Sequence, residues 1–146
     1  MDDRIGIKAL GPQDERVLRN VRDGTFDHPL IPEQTREFLA SDAHLIVVAQ
    51  DGEQVIGMAT GVIMLHPDKR PVLFVNEVSV HDDYLRRGIG RRLVTRLMDL
   101  AREKGVTTFW LATEDDNVAA RGLYRALGGR ETGNIVVYDW GGAMDD

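Results

Sequence analysis

Apolar residues in this chain fall into two kinds of pattern, short β-rich runs bounded by polar turns and stretches with three- and four-residue steps. Ile5 to Leu10 alternates weakly and predicts a first strand, ended by Gly11-Pro12. Gln13 or Asp14 opens a helix through Val17, Leu18 and Val21, and Asp23 to Pro32, with two prolines and a glycine, reads as a loop. A short helix is expected over Glu33 to Leu39. His44 to Gln50 is a buried strand turned by Asp51-Gly52, a strong hairpin signal, and Gln54 to Met64 returns. After the turn His66 to Pro71, the run Val72-Leu-Phe-Val-Asn-Glu-Val-Ser-Val80 predicts another strand. Ile89, Leu93, Leu97, Leu100 and Ala101 then mark an amphipathic helix that stops near Lys104-Gly105. Thr107 to Thr113 is a further strand, and Asp116 or Asn117 caps a helix running to Leu127 before Gly128-Gly129. Ile135 to Trp140 is the last expected strand, followed by a frayed tail, Gly141 to Asp146. The order β-α-α-β-β-β-α-β-α-β describes an α/β chain with a mixed sheet, organised as one domain over residues 1–146.

One helix start breaks a local rule. Cations suit the C-terminal end of a helix, because unpaired N–H groups already make the other end positive. Yet Arg86, Arg87, Arg91 and Arg92 crowd the start of the helix after Val80, with no acid between Leu85 and Met98. A bound anion resolves that conflict, and Gly88 and Gly90 let the backbone approach it closely. The stretch is therefore a candidate pyrophosphate site. It is not a P-loop, which needs a Gly-Lys-Ser/Thr ending, nor a dinucleotide fingerprint, whose third glycine is Leu93 here.

Charge sharpens this picture. The net charge of −6 hides an asymmetry, because Arg86 to Arg96 holds five arginines and no acid. Outside that loop 13 basic residues face 24 acidic ones, a balance of −11. Such a body argues against nucleic acid as a partner and suits a cationic substrate held apart from a phosphate-bearing cofactor. The absence of cysteine removes disulfides and thiolate catalysis, and fits a cytoplasmic protein. No apolar run of membrane-spanning length occurs, so no membrane partner is expected. His28, His44, His66 and His81 have no metal-ligand spacing, and no metal is expected.

Two motifs carry a family resemblance. Leu85-Arg86-Arg87-Gly88-Ile89-Gly90 resembles the acetyl-CoA loop of the GCN5-related N-acetyltransferases (GNAT), Arg/Gln-x-x-Gly-x-Gly/Ala, departing only where Leu85 takes the first place. Asn117-Val-Ala-Ala-Arg-Gly-Leu-Tyr124 with Gly128 follows the family's Asn-x-x-Ala-x-x-Leu-Tyr and later glycine, with Gly129 in place of a phenylalanine. The resemblance covers nearly the whole chain. It implies the GNAT fold, a mixed, mostly antiparallel sheet of six to seven strands flanked by four helices, with acetyl-CoA as cosubstrate. Cofactor contacts would come from Val78, Val80, Arg86, Arg87, Gly88, Ile89, Gly90, Arg91, Asn117 and Tyr124.

The same resemblance gives Glu77 the task of deprotonating the substrate amine and Tyr124 that of protonating the departing thiolate. Plainer roles exist for both. By alternation Glu77 shares a face with Leu73, Val75 and Ser79, where a carboxylate serves equally as an edge-strand charge or an arginine's partner. Tyr124 lies beside an apolar stripe and could be packing, and Asn117 could be a helix cap alone. Glu114, Asp115 and Asp116 complement a helix start, and three acids together would also cradle a polyamine.

Looser features point within the family to the GNAT-type aminoglycoside 3-N-acetyltransferases and hence to antibiotic resistance. They are Gly11-Pro12, the acidic loop at Asp23 and Asp27, the proline-bearing turn His66 to Pro71, the acids after the fifth strand, and Tyr138-Asp139 in the last strand. On this reading the acceptor is a small cationic amine contacted by Asp27, Glu77, Glu114, Asp115, Asp116 and Asp139, and the amine attacks directly in a ternary complex. A homodimer is compatible with it. The alternatives are a protein or peptide N-acetyltransferase and a non-catalytic acyl-CoA-binding sensor.

Overall fold

The computed structural model describes residues 4–145. They divide into two compact units, one ending at Leu111 and the other starting at Ala112. The first unit is a sheet with strand order β1-β2-β3-β4-β5: β1 (Ile5–Ala9), β2 (His44–Asp51), β3 (Gln54–Met64), β4 (Val72–Val80) and β5 (Phe109–Trp110). The first four strands pair antiparallel, and β4 pairs with β5 in parallel. The Asp51-Gly52 hairpin forms as expected, with Gly52 at a φ of +60° in the turn.

Helix α1 (Pro32–Ala40) and a 3-10 segment (Pro12–Arg19) precede β2, and α2 (Ile89–Glu103) joins β4 to β5. The first expected helix is thus 3-10 rather than α. Gly11 and Pro12 open it, the Asp14 carboxylate accepts from the Gly11 N–H at 2.8 Å, and Asp14 itself departs from helical geometry. Val21 leaves the helix to form a bridge with Val55.

Each sheet face carries its own core. On one, Ile89, Leu93, Leu97 and Ala101 of α2 pack against Ile5, Leu45, Val47, Ala49, Leu73 and Val75. Each leucine so buried stabilises the fold by about 1.5–3 kcal/mol, and Leu93→Ala would cost about 2–5 kcal/mol with its cavity. The other face packs Leu18 and Leu39, with Phe26 and Phe38, onto Ile46, Val48, Val55 and Met58.

The second unit holds α3 (Val118–Ala126), capped as expected by Asn117, whose side chain accepts from the Ala120 N–H at 3.0 Å. Past it, Arg121 grips Glu131 with two hydrogen bonds of 2.8 and 3.0 Å, and Arg125 adds a third at 2.9 Å. That fork holds the Glu131 carboxyl at about 2, well below its ordinary range.

Two strand expectations are corrected. The sheet has five strands among the described residues rather than six or seven, and Thr107 to Thr113 contracts to Phe109–Trp110. Ile135 to Trp140 forms no strand and lies exposed. Strand propensity is realised only where a neighbour supplies hydrogen-bond partners. β5 finds them at Leu73 and Phe74 alone, and Ile135 to Trp140 pairs with no strand among the described residues.

Candidate active site

Strand β4 sets the site, and a bulge decides which side chains it presents. Thr60 pairs with Glu77 and Gly61 with Val75, so Asn76 has no partner across the ladder. Leu73, Val75, Val78 and Val80 all reach the α2 core, which shows the alternation slipping at Asn76. Glu77 therefore does not share the face of Leu73 and Val75, as plain alternation implies. It points to the opposite face, beside Thr60. The bulge needs Gly61, where a Cβ would stand 2.9 Å from Leu73 Cδ1 and 3.0 Å from the Phe74 carbonyl oxygen.

A loop from the 3-10 segment crosses that second face. The Val55 N–H donates to the Asn20 carbonyl at 2.8 Å and the Arg22 N–H to the Val55 carbonyl at 2.9 Å. Gly24, at a φ of +94°, lies against the His81 ring, and Phe26 packs into the core beneath. Asp27 at the end of this loop comes near Glu77. Glu77 is exposed at the surface, yet its carboxyl is pushed above its ordinary range, first by partial removal from water on its inner side and second by the Asp27 charge. Thr60, 7% exposed, has its hydroxyl oxygen buried with no hydrogen-bond partner among the described residues. A base with a raised pKa, a second carboxylate and an unsatisfied hydroxyl thus share one face of the sheet.

On the outer side, β4 pairs with β5 only at Leu73 and Phe74. From Val75 to Val80 no strand pairs with that edge among the described residues. Val78 and Val80, expected to contact the cofactor through their backbone, lie on this stretch.

The arginine-rich loop follows directly. The His81 N–H donates to the Ile56 carbonyl at 2.8 Å, and a short 3-10 turn covers Asp82–Tyr84. Arg86 has a φ of +63°, a left-handed conformation costing a non-glycine residue roughly 1–2 kcal/mol. Gly88 follows at +75° as the N-cap of α2, with no side-chain cap and no acid in the first turn. The first N–H groups of a helix have no intrahelical partner, and such an end suits an anion. Arg86, Gly88, Ile89, Gly90 and Arg91 all lie at or next to the start of α2. Arg87 differs in detail, because its guanidinium lies over the Tyr84 ring, 5.1 Å from the centroid, and donates to the Asp83 carbonyl at 3.3 Å.

The remaining expected residues lie in the second unit. Glu114, Asp115 and Asp116 form the exposed turn into α3, and the Asp115 carbonyl accepts from Arg121 at 2.7 Å. Asp139 is not in a strand; its carboxylate accepts from the Met144 N–H at 3.1 Å in a C-terminal turn. Tyr124 is half-buried on α3, and burial pushes its phenol above the usual range, so it stays protonated at neutral pH. Sequence reasoning passed over Arg22, Asp51, Thr60 and Tyr84. Tyr84 alone left a signal, as the aromatic in the polar turn before the arginines. Among the described residues no group of three His, Asp or Glu side chains is placed to hold a metal, and no helix is long and apolar enough to cross a membrane.

Comparison with known proteins gives the family. The acetyltransferase (GNAT) family model matches residues 16–128. The chain is 36% identical over 131 residues to the N-alpha-acetyltransferase RimI of Mycobacterium tuberculosis, covering 88% of this chain and 80% of that protein. It is 29% identical to human N-acetyltransferase 8B over 76% of its own length, but spans only 49% of that relative. A solved aminoglycoside acetyltransferase from an uncultured soil metagenomic sample superposes with a TM-score of 0.81 at 18% identity, over 95% of this chain and 97% of the other. The aminoglycoside N-acetyltransferase AAC(6')-Iy, bound to a bisubstrate analogue of coenzyme A, superposes with a TM-score of 0.76 at 20% identity, over 93% and 97% of the two chains. At these identities the two structures speak for the fold. The chain belongs to the acetyltransferase (GNAT) family, whose cosubstrate is acetyl-CoA.

Proposed function

We propose that this chain moves acetyl from acetyl-CoA to a primary amine on a cationic acceptor. The observation that carries the reading is Glu77, turned by the β4 bulge toward Asp27 and held above its ordinary pKa beside the edge of β4 that pairs with no strand among the described residues. A second carboxylate beside the base draws in an ammonium ion, and a raised pKa strengthens the base that must take its proton. The freed amine nitrogen attacks the thioester carbonyl carbon, whose oxygen is polarised by backbone N–H groups at Val78 and Val80. The carbon–sulfur bond breaks, and the coenzyme A thiolate receives a proton from Tyr124. That last role rests on the Asn117–Tyr124 motif and is independent of any placement against Glu77. The pyrophosphate is held by backbone amides from Gly88 to Arg91, with Arg86 and Arg91 supplying charge. A non-catalytic acyl-CoA sensor would need neither the raised Glu77 nor Tyr124.

Two acceptors fit this chemistry. An aminoglycoside suits an acidic body with the Asp27–Glu77 pair, and both solved structures compared above are named for aminoglycoside acetylation. The sequence reading favours 3-N-acetylation, whereas the name of one of those structures specifies the 6' position. The second acceptor is the α-amino group of a protein, favoured by the 36% identity with an N-alpha-acetyltransferase, which is the stronger support of the two. The deciding experiment offers acetyl-CoA with kanamycin, gentamicin and peptides bearing basic N-termini, reading thiol release and locating the acetyl group by mass spectrometry. Turnover of peptides alone removes the aminoglycoside reading; turnover of none of them, with coenzyme A still bound, leaves the sensor.

A further inference from the structure

The arginine-rich loop is held by a group of side chains drawn from three separate segments. Tyr84, 8% exposed, donates its hydroxyl to Asp51 Oδ2 at 2.6 Å, fixing the turn after β4 to the β2–β3 hairpin. Arg22, from the loop that carries Asp27, forms an ion pair with Asp83 and lies 5.7 Å from the Tyr84 ring centroid. Arg87 covers the same ring at 5.1 Å and closes the turn onto the Asp83 carbonyl. Behind them the Asp83 N–H donates to His81 Nδ1 at 3.1 Å.

We propose that Tyr84, Asp51 and Arg22 form a clasp that pre-organises the phosphate loop, making them positioning residues for acetyl-CoA binding. The inference rests on the reading of Arg86 to Arg91 as the coenzyme A pyrophosphate site. Two arginines and two aspartates balance inside the clasp, so it leaves no charge to compete with the ligand. The left-handed backbone at Arg86, just past Tyr84, is unfavourable alone and needs such an outside restraint. Arg87 belongs to the clasp as well, which leaves the anion to the backbone amides and to Arg86 and Arg91. Arg22 adds a consequence: the segment that ends in Asp27 and the phosphate loop are tied at one ion pair, joining the acceptor side to the donor side.

The test compares coenzyme A with pantetheine, which shares the arm but lacks the pyrophosphate. Tyr84→Phe removes one hydroxyl, and Arg22→Met removes the ion pair from a half-exposed position while keeping an unbranched apolar stem. Each should weaken coenzyme A by about tenfold or more, the scale of a charge-assisted hydrogen bond, while pantetheine affinity changes by less than about twofold. Calorimetry reads the first ligand and an NMR titration the second. Hydrogen exchange at the amides of residues 85–91 should quicken in both variants. Unchanged coenzyme A affinity in both variants overturns the clasp, and equal losses for both ligands reduce it to a general structural role. A parent chain that binds pantetheine but gains nothing from the pyrophosphate overturns the cofactor-loop reading, and the clasp with it.

Discussion

Asp27 and Glu77 come from segments far apart in the sequence, yet the Asp27 charge helps to hold the Glu77 carboxyl above its ordinary range. The pairing has a direct kinetic consequence. Glu77 must be ionised to accept a proton, so activity should fall as pH drops through its raised pKa. Asp27→Asn removes the smaller of the two causes and leaves the partial loss of water in place. The acidic limb of the kcat/KM profile should therefore move to lower pH, without disappearing. Glu77→Gln should instead lower kcat by about 10²–10⁴-fold. An acidic limb that stays put in Asp27→Asn would show that the two carboxylates do not interact in solution.

The bulge that turns Glu77 depends on close backbone approach at Gly61. Gly61→Ala places a methyl 2.9 Å from Leu73 Cδ1 and 3.0 Å from the Phe74 carbonyl oxygen, and the backbone contact cannot yield as a side chain can. We expect a loss of about 1–3 kcal/mol in urea unfolding, typical of overpacking. Activity should fall further than stability, because restoring regular alternation would swing Glu77 toward the α2 core. Wild-type stability in this variant would mean that the bulge relaxes freely.

Much of this was legible from residue patterns, for physical reasons that differ by element. The α2 stripe and the Asp51-Gly52 hairpin are local signals, and both appear where periodicity put them. The helix start after Gly88 was legible, and four arginines there conflict with the helix dipole, which is what motivates its proposed phosphate role. Glu77 was visible as an acid in an apolar strand, but its face was not, because the bulge arises from pairing with β3. Asp27 stood out as acidic, whereas its approach to Glu77 depends on bonds from Asn20 and Arg22 to Val55. Ile135 to Trp140 failed the other way: its β-propensity is strong, but strand formation also needs a partner.

Glu131 offers a pH test confined to the second unit. Its folded pKa, about 2, lies below the ordinary value of 4.5, so the fork to Arg121 and Arg125 stabilises the folded form above the unfolded pKa. That contribution is full above about pH 5 and is lost progressively as pH falls from about 4.5 toward 2. Exchange of the amides near Glu131 should report loosening in that window. Glu131→Gln should show the looser behaviour at neutral pH and no transition between those values. If parent and variant respond alike to acid, the fork contributes nothing measurable.

Tyr124→Phe isolates the proposed acid. The phenol is half-buried and held above its usual pKa by burial, so it reaches the reaction protonated at any ordinary pH. Removing the hydroxyl leaves the ring to pack, and neither the Asn117 cap nor the Gly129 N–H bond to the Tyr124 carbonyl at 2.9 Å uses the phenol. Fold and coenzyme A affinity should therefore hold within error. Turnover should drop by roughly ten- to a thousandfold, because the thiolate must then leave unprotonated or find water. The loss should shrink for a thioester whose thiol is more acidic than coenzyme A, since a better leaving group needs less help. A packing role predicts the opposite pattern, with lower thermal stability and the same turnover for every thioester. Turnover measured across a series of thioesters with acidic and ordinary thiols separates the two.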